Sequence, residues 1–164
     1  MEIKASQVKE LREMSGVAMM ECKRALVECE GDLDKALDLL RSNSSLKAEK
    51  KASRVAADGV IRIISTESYA TIIEINSETD FAAKDAGFLA FADAVAAYIS
   101  ANKVADVSVF ASNEIEEKRL ALIQTIGENI QLRRMETIDF DGDMSVGSYM
   151  HSDGKLAALV ITNT

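Results

Sequence analysis

The hydrophobic pattern changes period near Gly59, and that change restricts the chain to a helical segment followed by a mixed one. Before it, Cys22, Ala25, Leu26 and Cys29, then Leu33, Ala36, Leu37 and Leu40, recur at i, i+3, i+4 and i+7, the signature of one helix face. Val8 and Leu11 carry a shorter pattern, and the breakers Ser15-Gly16 and Gly31-Asp32 separate the segments, the second pair supplying a turn and an N-cap. Helices this short are marginal alone, so they must bury their apolar stripes on one another. Residues 1–41 therefore read as a three-helix bundle.

Beyond Gly59, Val60, Ile61, Ile63 and Ile64 form one β-branched run and Tyr69 to Asn76 a second, with Ser65 to Ser68 as a hairpin loop. A helix is predicted from near Ala82 to Ala101, because Phe88, Phe91, Ala92, Val95, Tyr98 and Ile99 share a stripe able to cover the hairpin. Asn113 and Glu116 are spaced as a capping box for a further helix that presents Ile115, Leu122, Ile123 and Ile126 and ends near Gly127. Ile130 to Ile138 alternates as a third strand, before a turn at Asp141-Gly142-Asp143. Val146 to His151, a turn at Ser152-Asp153-Gly154, and Leu156 to Thr162 predict another hairpin, here with no helix following it. That asymmetry implies a truncated chain or a partner that covers the hairpin.

The fold class expected is α+β, a three-helix bundle followed by an antiparallel sheet packed with helices. Its divisions are residues 1–41 as bundle, 42–57 as a charged and partly helical linker, 58–140 as a core subdomain, and 141–164 as the start of a second, incomplete one.

Composition removes several function classes. With 48% hydrophobic and 28% charged residues over 164 positions, the chain can bury a core. A net charge of −8 opposes attraction to a phosphate backbone or an anionic membrane. The basic run from Lys47 to Arg54 has no interleaved aromatics and reads as solvated linker, so no direct nucleic-acid contact is expected. No apolar run approaches the roughly 20 residues that span a bilayer, and Met1-Glu2-Ile3-Lys4 lacks a secretory core; the expected location is the cytoplasm. Cys22 and Cys29 lie about two helical turns apart, too far for a disulfide, and read as buried thiols. Zinc would need more ligands than these and the distant His151, so neither metal nor cofactor is expected. A single histidine, with no nucleophile elbow and no glycine-rich phosphate loop, leaves the catalytic templates unfilled. Asp80 with Asp85, and Glu116 with Glu117, read as solvated carboxylates, and Asp139 to Asp143 as a turn without the spacing of a calcium loop. The chain is thus expected to act by binding rather than by covalent chemistry.

Two segments are candidate contact points. Asn76-Ser77-Glu78-Thr79-Asp80-Phe81-Ala82-Ala83-Lys84-Asp85 joins strand to helix, with Thr79 or Asp80 as N-cap. Phe81 there is either core or a wedge presented to a partner, and pattern alone favours core. Met14, Met19 and Met20 surround Ser15-Gly16; Met19 is in phase with Cys22 and Leu26, a phase that allows a core position, whereas Met20 lies off that stripe as a candidate anchor.

Several strings, in order, resemble the elongation factor Ts family. Val8-Lys9-Glu10-Leu11-Arg12-Glu13, Gly16, Met19-Met20, Cys22-Lys23 and Ala25-Leu26 are similar to its amino-terminal module. Ala56-Ala57-Asp58-Gly59-Val60-Ile61, Glu78-Thr79-Asp80-Phe81 with Ala83-Lys84, and Ile126-Gly127-Glu128-Asn129-Ile130 are similar to its core. The resemblance implies a three-helix module of the ubiquitin-associated type, then two related core subdomains. It implies a guanine-nucleotide exchange factor that binds elongation factor Tu and promotes GDP release by disturbing its magnesium and nucleotide site. On this resemblance Thr79, Asp80, Phe81 and Ala82 insert beside that magnesium site, and Arg12, Met19 and Met20 meet a helix of the nucleotide-binding domain. Ile126, Gly127 and His151 fall near the partner's other domains, His151 by the string Ser148-Tyr149-Met150-His151. Ala82 departs from the valine usual in the family. The rest of the second subdomain and a helical hairpin used in self-association lie outside this sequence, which leaves self-association open. The alternative is a binding module without exchange activity that works through the three-helix bundle.

Overall fold

The computed structural model describes residues 2–163, which form two compact units. The first contains the residues up to Arg54 together with Glu117–Asn129, and the second contains Val55–Glu116 with the described residues from Ile130 onward. Helices and antiparallel sheets are combined, an α+β architecture.

In the first unit α1 (Ala5–Ser15), α2 (Met19–Glu28) and α3 (Leu33–Lys51) pack around Val8, Leu11, Val17, Cys22, Ala25, Leu26, Ala36 and Leu40. Gly16 ends α1 in a left-handed conformation at φ 69°, where its N–H donates to Arg12 O at 2.9 Å. Asp32 caps α3 by accepting from Lys35 N at 3.0 Å. Cys22 is buried as expected, but Cys29 is only half-buried. Of the two positions open to Met19 the exposed one is observed: it is the first residue of α2, and Val17, just before the helix, is buried.

α3 continues past residue 41 through ten of the sixteen residues 42–57, the segment expected to be partly helical. Ser44 and Ala48 continue the buried stripe of Leu40 at i+4 spacing, and tertiary contact overrides the weak helix propensity of Ser42-Asn43-Ser44-Ser45. Ser44 Oγ donates to Gln124 Oε1 of α6 (Glu114–Ile126), and Gln124 Nε2 donates to Glu21 Oε2 at 3.5 Å. Arg41 pairs with Glu117 at 3.8 Å, and Asn129 Nδ2 donates to Arg54 O at 2.8 Å. Residues 117–129 therefore join the helices rather than the sheet, a partition that periodicity does not reveal.

The second unit is built on β1 (Asp58–Ser65), β2 (Tyr69–Ser77) and β3 (Gln131–Asp139), antiparallel with β2 in the middle. After β2 come α4 (Asp80–Ala83) and α5 (Ala86–Ala101), so the helix expected from Ala82 is two pieces. α5 buries Phe88, Phe91, Ala92, Val95 and Ile99, and Tyr69 Oη donates to Ile99 O at 2.7 Å, tying its last turn to β2. A short 3-10 helix, Val107–Ser112, inserts Phe110 edge-on against Tyr98 with centroids 5.7 Å apart. Six residues are too few for periodicity to announce it. β4 (Met144–Met150) and β5 (Ala157–Asn163) make a separate hairpin.

Two local features set the register. Gly59, opposite Asn76, has φ 137°, and a Cβ on it would stand 2.1 Å from Ile75 O and 2.7 Å from Asn76 Cα. A bulge between Glu74 and Ile75 lets Arg133 and Arg134 both reach Glu74, at 3.0 and 2.6 Å. Burial pushes the Glu74 carboxyl up, but the hydrogen bonds from Arg134, Arg133 and Asn76 outweigh it and hold the group below its ordinary value.

Gly59→Ala meets backbone that cannot swing aside, and it should lower unfolding stability by about 2–4 kcal/mol in a denaturant titration. An unchanged midpoint would show that β1 can move off β2. Because the folded-state pKa of Glu74 is depressed, its contribution is present above the unfolded value and fades as pH falls through the folded one. Glu74→Gln should therefore be less stable than the parent at neutral pH, with the gap closing below pH 4.5, the ordinary value, in unfolding curves collected along a pH series.

Candidate partner-binding site

The corner between β2 and α5 is stiff because its backbone groups are satisfied locally. Ser77 Oγ donates to Thr79 O at 3.0 Å, and Thr79 is the N-cap, with Oγ1 accepting from Ala82 N at 3.3 Å. Ala83 N donates to Thr79 O at 3.2 Å, Lys84 N to Asp80 O at 3.2 Å, and Asp85 N to Ala82 O at 3.0 Å. Asp85 then caps α5 by accepting from Gly87 N at 2.8 Å and Phe88 N at 3.2 Å. Two caps within one short segment leave the chain no slack.

On this single turn Ala82 and Ala83 are buried, so the preceding side chain must point away. Phe81 is 82% exposed, the most exposed large hydrophobic among the described residues. The core position favoured by pattern for Phe81 is therefore not the one observed, whereas Phe88 is fully buried as its stripe predicts. The available signal was the pair of alanines after Phe81: small residues are what a one-turn helix needs to sit close on a sheet. An aromatic kept in water forgoes about 1.5–3 kcal/mol of burial, a cost that contact with another surface recovers.

Charged groups surround this corner. Lys84 Nζ lies 3.5 Å from Asp80, and Lys155 Nζ donates to Asp58 Oδ1 at 2.5 Å. The Lys155 hydrogen bond, with that from Gly59 N, holds the Asp58 carboxyl below its ordinary value, and Asp58 in return raises the Lys155 ammonium. His151 is exposed in the turn between β4 and β5; its Nδ1 lies 3.0 Å from Asp153 Oδ1 and its N–H donates to Leu156 O at 2.8 Å. Gly154 O accepts from Ile61 N at 2.7 Å, so the turn bearing His151 is seated on β1.

The first unit has its own candidate residues. Arg12 is exposed on the last turn of α1, and Met19 and Met20 are 48% and 65% exposed on the first turn of α2. The link between these helices is pinned by Val17 N donating to Ser15 Oγ at 3.2 Å and Cys22 Sγ donating to Val17 O at 3.5 Å. Val27, one heptad after Met20, is also exposed; the stripe from Cys22 to Cys29 drew attention to the opposite face and so concealed it. Ile126 is half-buried in the last turn of α6, and Gly127 caps that helix at φ 81°, with open space where a Cβ would stand. Among the described residues no three His, Cys, Asp or Glu side chains converge as a metal site.

The exposed Phe81 corner and the exposed start of α2 are each held by local hydrogen bonds. A family model described as elongation factor TS matches residues 78–164, a span that starts at the Phe81 corner and includes His151. Proteins named elongation factor Ts are 52% identical over 161 residues in Saccharophagus degradans, covering 97% of this chain and 55% of that protein. The one from Teredinibacter turnerae is 50% identical over 162 residues, covering 98% and 55%. The one from Escherichia coli O9:H4 is 50% identical over 150 residues, covering 92% and 52%. This chain thus spans about half the length of the curated relatives it matches. A match of this depth, running through both units and over the corner that exposes Phe81, makes the chain a member of the elongation factor Ts family.

Proposed function

We propose that this chain binds elongation factor Tu and promotes release of its GDP without covalent chemistry, acting in the cytoplasm. The observation that carries the proposal is the exposure of Phe81, 82%, on a corner whose own hydrogen bonds keep it from folding back. Thr79, Asp80, Phe81 and Ala82 form the wedge that enters beside the magnesium and nucleotide site. A rigid aromatic suits this task, because a flexible one would spend binding energy on being ordered. α1 to α3 act as a docking module of the ubiquitin-associated type, with Arg12, Met19 and Met20 against a helix of the nucleotide-binding domain. Ile126, Gly127 and His151 supply contacts to other parts of the same partner.

The thermodynamics follow from linkage. A factor that prefers nucleotide-free Tu must weaken GDP to the same extent that GDP weakens the factor. Wedge residues then govern the maximal rate of release, and docking residues govern the concentration at which it is reached.

Release of a fluorescent GDP analogue from elongation factor Tu at fixed magnesium tests this division. Phe81→Ala should slow maximal release by about tenfold or more, with an unfolding midpoint like the parent's because little is lost from the core. Met20→Ala should raise the half-saturating concentration about three- to tenfold and leave the maximal rate in place. Parent-like exchange by Phe81→Ala would end the wedge assignment, and tight binding without acceleration by the parent would leave a docking module only.

A further inference from the structure

The turn between β4 and β5 belongs to a separate hairpin, yet two bonds fasten it to β1. Ile61 N donates to Gly154 O at 2.7 Å, and Lys155 Nζ donates to Asp58 Oδ1 at 2.5 Å. The turn is shaped to present both groups: Asp153 Oδ1 accepts from Lys155 N at 2.9 Å, and Gly154 N donates to His151 O at 2.9 Å. Gly154 itself is left-handed, φ 70°, and a Cβ placed there would stand 3.7 Å from Val60 Cβ.

On the other side, Asp58 is held by Gly59 N at 2.9 Å and pairs across the ladder with Ser77. Ser77 Oγ donates to Thr79 O, and Thr79 Oγ1 caps the turn that carries Phe81. Contacts therefore run without a gap from His151 through Gly154 and Lys155 to Asp58, Ser77, Thr79 and Phe81. The turn that carries Phe81 also packs directly against β1, the strand that begins at Asp58. The side chains of Lys155 and Asp58 remain 42% and 26% exposed. An ion pair that open adds little to stability, so its consequence is geometric.

We infer that Lys155 and Asp58 are positioning residues, which hold the His151 turn and the Phe81 corner at one separation so that a single partner meets both together. The inference rests on the exchange-factor reading for its consequence, although the contacts stand apart from it. Two contact points preset in this way avoid the ordering cost that independent ones would incur on binding.

The test combines Lys155→Ala and Lys155→Arg, each alone and with His151→Ala, in the fluorescent-GDP assay and in amide hydrogen exchange. Lys155→Ala should raise the half-saturating concentration of factor about three- to fivefold with the unfolding midpoint kept. Lys155→Arg should restore it. In the His151→Ala background the same change should have almost no further effect, because the pair acts through that turn. Protection of the Ile61 amide should fall in Lys155→Ala while the β2–β3 amides keep theirs. Independent multiplication of the two effects, or a lowered unfolding midpoint that accounts for the loss, would overturn the inference. If the parent does not accelerate release, the exchange reading fails by itself; amide exchange then decides alone, and unchanged protection at Ile61 and Ala82 in Lys155→Ala rejects the positioning role.

Discussion

The approach of β1 to β2 at Gly59 is the constraint on which the second unit depends. Only a residue without a Cβ can lie that close to Ile75 O, and the contact fixes the register that sets Asp58 opposite Ser77. From that register follow the edge that receives the Gly154 turn, the strand end that hands the chain to Thr79, and the face of β1 that α5 packs against. A slip of one residue would turn every side chain of β1 to the other face and remove Asp58 from Lys155.

The corner after β2 shows how a small protein keeps an aromatic in water. Ala82 and Ala83 are buried under the turn, Thr79 and Asp85 satisfy the two helix starts, and Phe81 is left on the outside. The caps and the buried alanines stabilise the free chain, but the exposure of Phe81 does not. It is the kind of local cost that persists where the exposed group has a use. Membership of the elongation factor Ts family and the exposure of Phe81 are separate observations, and the span matched by the family model includes this corner.

The first unit is stabilised by more than its three amphipathic stripes. Polar side chains on α2, α3 and α6 bond in series, from Glu21 through Gln124 to Ser44, and Ala48 keeps α3 buried beyond that point. Glu21 follows directly on Met19 and Met20, so the start of α2 is held by the same series. A loose helix start would present those methionines in many directions, whereas this one presents them in few.

Period and punctuation are local properties, and the sequence by itself determined what depends on them. The three helices, the two hairpins, the third strand and the caps at Gly16, Asp32, Thr79 and Gly127 lie within a few residues of where the pattern places them. The family was legible too, because short strings in order survive independently of what they touch. Facing was not legible. Whether Phe81 enters the core or stays in water, which way Met19 faces, how far α3 runs past residue 41, and which unit receives residues 117–129 are all decided by distant partners. Periodicity reports that a face is apolar; only the tertiary structure supplies the surface that covers it, or leaves it bare.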